Sequence, residues 1–137
     1  MIWLRILGTV ALSVGLAACT KAVTDHQAKR PLSDLAGSEW GPADNAQDQF
    51  VAFKTAGEII GSGGCNNFFG NYEQDGDKLT IGALASTRKM CPSGMEAEAD
   101  FLARLQEARR IEATHKTLVI YDESGDMILE LQRRDWD

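Results

Sequence analysis

Beyond residue 48 the chain is dominated by short runs in which apolar and polar residues alternate with a period of two, the pattern of half-buried strands. "QFVAFK" (49–54) and "EIIGSG" (58–63) flank Thr55-Ala56-Gly57, a three-residue turn with a glycine placed for a hairpin. "GNYEQ" and "DKLTIG" flank Asp75-Gly76, which predicts a tight hairpin in which Leu79 and Ile81 face one way and Lys78 and Thr80 the other. "TLVIYD" (117–122) and "MILELQ" (127–132) predict a third hairpin around Ser124-Gly125, with "RIEAT" (110–114) pairing just before it. In its second strand, alternation puts Met127, Leu129 and Leu131 on one face and Glu130 and Gln132 on the other.

One segment breaks this period. "PSGMEAEADFLARLQEA", from Pro92, carries Leu102, Leu105 and Ala108 at helical spacing with Phe101 beside them. Ser93 and Glu96 have the spacing of a capping box, so the helix is expected to start there and to pack Leu102 and Leu105 on the sheet. Glu96, Glu98 and Asp100 near its start and Arg104, Arg109 and Arg110 towards its end complement the helix dipole. Many strands with one covering helix predict an α+β fold, mainly antiparallel β, either open or a partly closed barrel.

The first residues are of another kind. Arg5 precedes an apolar run from Ile6 to Leu16, too short to span a bilayer comfortably and ending in Ala17 and Ala18. That is the layout of a secretory signal removed after export. "LAAC" (16–19) resembles the lipobox of bacterial lipoproteins. The resemblance implies cleavage after residue 18, diacylglycerol on the Cys19 sulfur and acylation of the new amino terminus, a covalent membrane anchor rather than a spanning helix. Thr20, where inner-membrane retention would call for Asp, points to the outer membrane with the domain facing the periplasm. The expected organisation is a signal peptide (1–18), a polar lipidated tether (19–33) and one domain (34–137).

Charge and cysteine usage narrow the picture. Cleavage would leave 119 of the 137 residues, enough for one domain with a modest core. Without Arg5 there remain 13 basic side chains against 20 acidic ones, an unfavourable balance for nucleic acid or anionic headgroups. With Cys19 assigned to lipid, Cys65 and Cys91 are an even pair in an oxidising compartment, and a disulfide is the expected arrangement over two buried thiols. Spacing alone does not show that the two sulfurs meet.

With these elements placed, the chain resembles the META/HslJ domain family. The resemblance rests on "LAGSEW" (35–40), "GSGGCNNFFGNY" (61–72), "LTIGALASTRKMC" (79–91), "EADFLARL" (98–105) and the closing "KTLVIYDESGDMILEL" (116–131). It implies a small barrel-like antiparallel sheet with one packed helix, in a bacterial envelope protein that is often lipid-anchored and connected in some members with stress or antibiotic tolerance. It implies no enzyme class. The polar "GPADNAQDQ" after Trp40 departs from the longer first strand expected of the family.

Candidate chemistry centres on Cys65. A nucleophile needs a base, and past the tether the chain offers one imidazole, His115, in a predicted turn. The cysteines lack the paired spacing of zinc motifs, "DGD" (75–77) reads as a turn, and "GSGGCN" has neither dinucleotide nor Walker spacing. Ser86 and Thr87 lack the companions of a hydroxyl nucleophile. The expectations are therefore no catalytic residue, metal or cofactor, with Gly63 and Gly64 allowing a bulge or close approach, and Asn66 and Asn67 bonding local backbone. The best candidates for a ligand or partner surface are Asn66, Asn67, Phe68, Phe69 and Tyr72. The favoured function is a non-enzymatic envelope lipoprotein acting on a protein partner or in stress tolerance. The alternatives are a module holding a small apolar ligand in a barrel mouth and an inhibitor of a cell-wall-degrading enzyme.

Overall fold

The computed structural model describes residues 32–44 and 47–135; the expected signal peptide, Cys19 and most of the tether lie outside them, as does Trp136. Nine strands follow in order: β1 (Ser38–Gly41), β2 (Phe50–Phe53), β3 (Glu58–Ser62), β4 (Asn67–Asp75), β5 (Lys78–Ile81), β6 (Ala85–Ser86), β7 (Arg110–Ala113), β8 (Thr117–Tyr121) and β9 (Met127–Arg133). Among the described residues there is a single α-helix, α1 (Met95–Gln106), and it separates β6 from β7. Every pairing is antiparallel, and the order β3-β2-β1-β9-β8-β7-β5-β4 is closed by pairing of β3 with β4. The result is an eight-stranded ring, with β6 adding to the upper half of β4.

An eight-stranded ring has an interior just wide enough to be filled by side chains. Here Trp40, Val51, Phe53, Ile59, Phe68, Leu79, Leu118, Ile120 and Leu131 fill it, all at most 1 % exposed. Phe68 lies across Gly61, its cross-strand partner, so closely that a Cβ on Gly61 would come within 2.4 Å of the ring. In "LAGSEW", the Trp40 indole donates to the Ser38 hydroxyl at 2.6 Å, and that hydroxyl donates to the Leu35 carbonyl. A buried indole thereby finds its partner within five residues of chain, so this motif stitches the first strand to the core.

The helix lies across one end of the ring. Its inner face is Glu98, Phe101 and Leu105, with Leu102 half-buried at the margin rather than central as the spacing had implied. Phe101 meets Phe68 edge-on at 6.3 Å, and Arg104 and Gln106 donate to the carbonyls of Ile128 and Gly82 at that same end. The helix starts one residue later than a Ser93 cap would have it. Gly94, in the left-handed region (φ 86°), is the N-cap, and no side chain caps it.

Two further corrections concern strand register. The tight hairpin turns at Gly76-Asp77, because Asp75 still pairs with Lys78. In β9 a bulge opposite Ile120 and Tyr121 inserts one residue, so Ile120 faces Leu129 while Tyr121 faces Met127. The bulge reverses the alternation, and Met127 is 59 % exposed instead of sharing a face with Leu129 and Leu131. The first strand has four residues, consistent with the polar stretch after Trp40.

Tyr72 lies in the core, edge-on to Phe53 at 4.9 Å, with its hydroxyl donating to the Lys54 carbonyl at 3.0 Å. Burial raises its pKa, and the nearby Asp34 carboxylate raises it further. Because the folded value exceeds the unfolded one, this contribution to stability is complete at neutral pH and is lost as pH climbs through and above the ordinary phenol range. A spectrophotometric titration of the Tyr72→Phe variant is expected to lack a late-ionising phenol that the unaltered chain shows above pH ~10.

Candidate functional site

The motif "GSGGCN" forms the β3–β4 connection at the helix-covered end. Glu98, in the first turn of α1 and 6 % exposed, points its carboxylate at this loop. Its Oε2 accepts the backbone N–H of Cys65 at 3.0 Å and of Asn66 at 2.5 Å, and its Oε1 accepts from Asn66 Nδ2 at 2.8 Å. Asn66 is the hub. Its Oδ1 accepts the Lys89 N–H at 2.7 Å and the Thr87 hydroxyl at 2.9 Å, while Nδ2 also reaches the Lys89 carbonyl at 3.2 Å. One amide thus ties β4, the β6–α1 link and the helix together. Among the described residues, every buried side-chain nitrogen and oxygen has a partner.

Covalent chemistry closes the same spot. Cys65 and Cys91 form a disulfide with Cα atoms 6.1 Å apart, within the range that allows the bond. Gly63 is required by approach: a Cβ there would lie 2.4 Å from Glu98 Cγ and 2.8 Å from Oε2. Gln49 completes the junction, donating to the carbonyls of Gly63 and Ala97, each at 3.1 Å.

His115 is remote from this cluster, since the β7–β8 connection that carries it is at the opposite end of the ring. Thr87 is engaged with Asn66 and Asn67, and Ser86 lies in β6. Of the five positions expected on a ligand or partner surface, Asn67 and Phe69 are exposed; Asn66, Phe68 and Tyr72 are buried. The alternation of β4 explains the split: Phe68 and Tyr72 point into the ring and Phe69 outwards. Asn66 was expected to bond locally and instead reaches partners 21 to 32 residues away.

Phe69 heads an outward apolar row. Ile60, Phe69 and Ala85 are successive cross-strand partners on β3, β4 and β6, with Ile60 39 % and Phe69 58 % exposed, and Ala52 on β2, the partner of Ile60, is buried. Ser62, Asn67 and Asn71 border Ile60 and Phe69, and the nearest charges are Glu58 beside Ile60, Glu73 further along β4 and Glu39, the β1 partner of Ala52. Sequence alternation alone assigns Ile60 and Phe69 to the outside once the register of the hairpin is known.

A separate cleft of about 490 Å³ opens where β7 extends past the start of β5. Leu32, Ile111, Ala113 and Val119 supply its apolar walls, and Ser33, Thr114 and Thr117 add hydroxyl-bearing side chains. Its acidic members are Asp77 and Glu112. The Leu32 N–H donates to the Ala113 carbonyl at 2.8 Å and the Ile111 N–H to the Asp77 carbonyl at 2.8 Å, which fixes the two lips of the cleft. Glu112 is held between Arg110 (2.8 Å) and the Tyr121 hydroxyl (3.1 Å), and hydrogen bonds from both keep its carboxyl below the usual range. Leu32 and Ser33, assigned to the tether from sequence, already contact the domain here.

The fold and its locked loop define a small closed antiparallel β domain with one end-covering helix. The chain belongs to the META domain family, which matches residues 31–135. No curated protein matches the sequence. Among solved structures, a protein from Burkholderia xenovorans determined by NMR is similar over 96 % of this chain and 100 % of its own, with 21 % identity and a TM-score of 0.61. A DUF4847 family protein from Bacteroides vulgatus is similar over 69 % of this chain and 64 % of its own, with 21 % identity and a TM-score of 0.52. At these identities the likeness is one of fold.

Proposed function

We propose that this META domain protein is a non-enzymatic lipoprotein of the bacterial envelope, anchored to the outer membrane through Cys19, whose domain acts by binding a protein partner in the periplasm. The observation that carries the reading is how the motif uses its reactive groups. Cys65 is joined to Cys91, and the Glu98 carboxylate accepts three hydrogen bonds from the loop it holds. The groups best suited to chemistry are engaged in holding the barrel end, while the outer face of β3 and β4 presents apolar side chains to solvent. An uncharged centre with exposed Phe69 and Ile60 has the composition of an interface core. A role in envelope stress tolerance fits such a partner.

The test is photocrosslinking in intact cells from position 69, with position 123 on the β8–β9 turn as control. A discrete adduct at 69, lost in Ile60→Lys, is expected; no adduct, or the same adduct from 123, counts against this surface. Cys19→Ser is expected to abolish fatty-acid labelling and release the domain from the membrane, and persistence of both would contradict the anchor.

A second reading, a module for a small apolar ligand, is favoured by the cleft beside β7 rather than by the ring interior, which side chains fill. Its size lies within the few hundred Å³ usual for such sites.

A further inference from the structure

We infer that the cleft beside β7 takes a small amphiphile with an apolar body and one cationic head group, an inference that rests on the second reading above. The walls decide the body. Leu32, Ala113 and Val119 come from the entering chain, β7 and β8, and a hydrocarbon laid among them has apolar surface removed from water.

The polar members decide the head. Among the described residues, Asp77 and Glu112 are the charged members of the lining, and both are acidic. Glu112 already has Arg110, whose guanidinium also lies 4.0 Å over the Tyr121 ring. Asp77 is different. Its backbone carbonyl is bonded to Ile111, but its carboxylate, exposed on the hairpin turn, has no ion pair among the described residues. A cation at that lip meets a carboxylate that has no ion pair among the described residues, a neutral head gains no charge contact there, and an anion is repelled by Asp77. Lys78 and Arg110 line the neighbouring depression with Asp77, and Arg110 also reaches the cleft margin through its ion pair with Glu112. The pair is solvent-exposed, so its effect on affinity is modest and weakens with salt.

The experiment is an NMR titration of the full chain, isotope-labelled, with three probes of one alkyl length at low salt: hexyltrimethylammonium, hexanol and hexanoate. The expected result is saturable shifts at the amides of Ile111, Ala113 and Val119, with the cation binding about threefold tighter than the alcohol and hexanoate weakest. Asp77→Asn, a conservative change at an exposed turn, is expected to bring the cation to the level of the alcohol and leave the alcohol unchanged. Val119→Arg is expected to remove the shifts for all three. If cation and alcohol bind alike, or Asp77→Asn leaves the preference intact, the head-group inference is overturned while the ligand reading stands. If no probe shifts the cleft, or shifts gather at Ile60 and Phe69 instead, both are overturned.

Discussion

Replacing Glu98 by glutamine is expected to destabilise the domain by about 2 kcal/mol, although the new side chain has the same shape. The reason is donor count. Glu98 faces donors only: the N–H groups of Cys65 and Asn66 on one oxygen and the Asn66 amide on the other. A glutamine can offer its single oxygen to one of these sites, and its NH₂ must then confront a donor at the other. Asn66 cannot compensate by turning its amide over, because its Oδ1 already accepts from Lys89 and Thr87. Glu98→Ala leaves all three donors without that acceptor and is expected to cost more, about 3 kcal/mol. Urea unfolding at neutral pH reads both. A glutamine variant as stable as the parent would mean that the carboxylate is not what holds the loop.

The second large effect is that of the cross-link. Removing it with the double substitution Cys65→Ser and Cys91→Ser is expected to cost about 3.5 kcal/mol, the chain-entropy value for the separation of 26 residues. For a domain of this size that corresponds to a fall in Tm of roughly 15 °C. The effect should be less than additive with Glu98→Gln, because both act on the same loop and contacting sites couple. A loss below ~1 kcal/mol would show that the Asn66 network alone closes the barrel end.

Much of the barrel was legible in local pattern. The period of two in "KLTI", "TLVIY" and "MILEL" placed strands, and the switch to helical spacing at Phe101, Leu102 and Leu105 placed the helix that covers the barrel end. What failed was whatever depended on partners distant in the chain. Ser93 and Glu96 offered a capping box, yet Gly94 starts the helix, because the cysteine at 91 and the amide network at 87–89 fix where the chain enters it. Met127 looked internal until a bulge, invisible to alternation, turned it out. Glu98 read as one more acid at a helix start, and nothing local says that its carboxylate is buried against a loop 32 residues earlier. The one sequence clue was Gly63, whose missing side chain makes the room that Glu98 occupies. Phe69 could be named as a surface candidate, but its contrast with buried Phe68 needed the register of β3 against β4.

The claim beneath these predictions is that Cys65 and Cys91 serve as a brace and not as reactive thiols. Alkylating the full-length protein, taken from its native membrane and denatured without reductant, and then mapping the peptides by mass, tests it most directly. The account predicts no alkyl group on either residue and a linked pair of peptides that separates on reduction. Alkylation of both cysteines in unreduced material would contradict it and return Cys65 to chemistry.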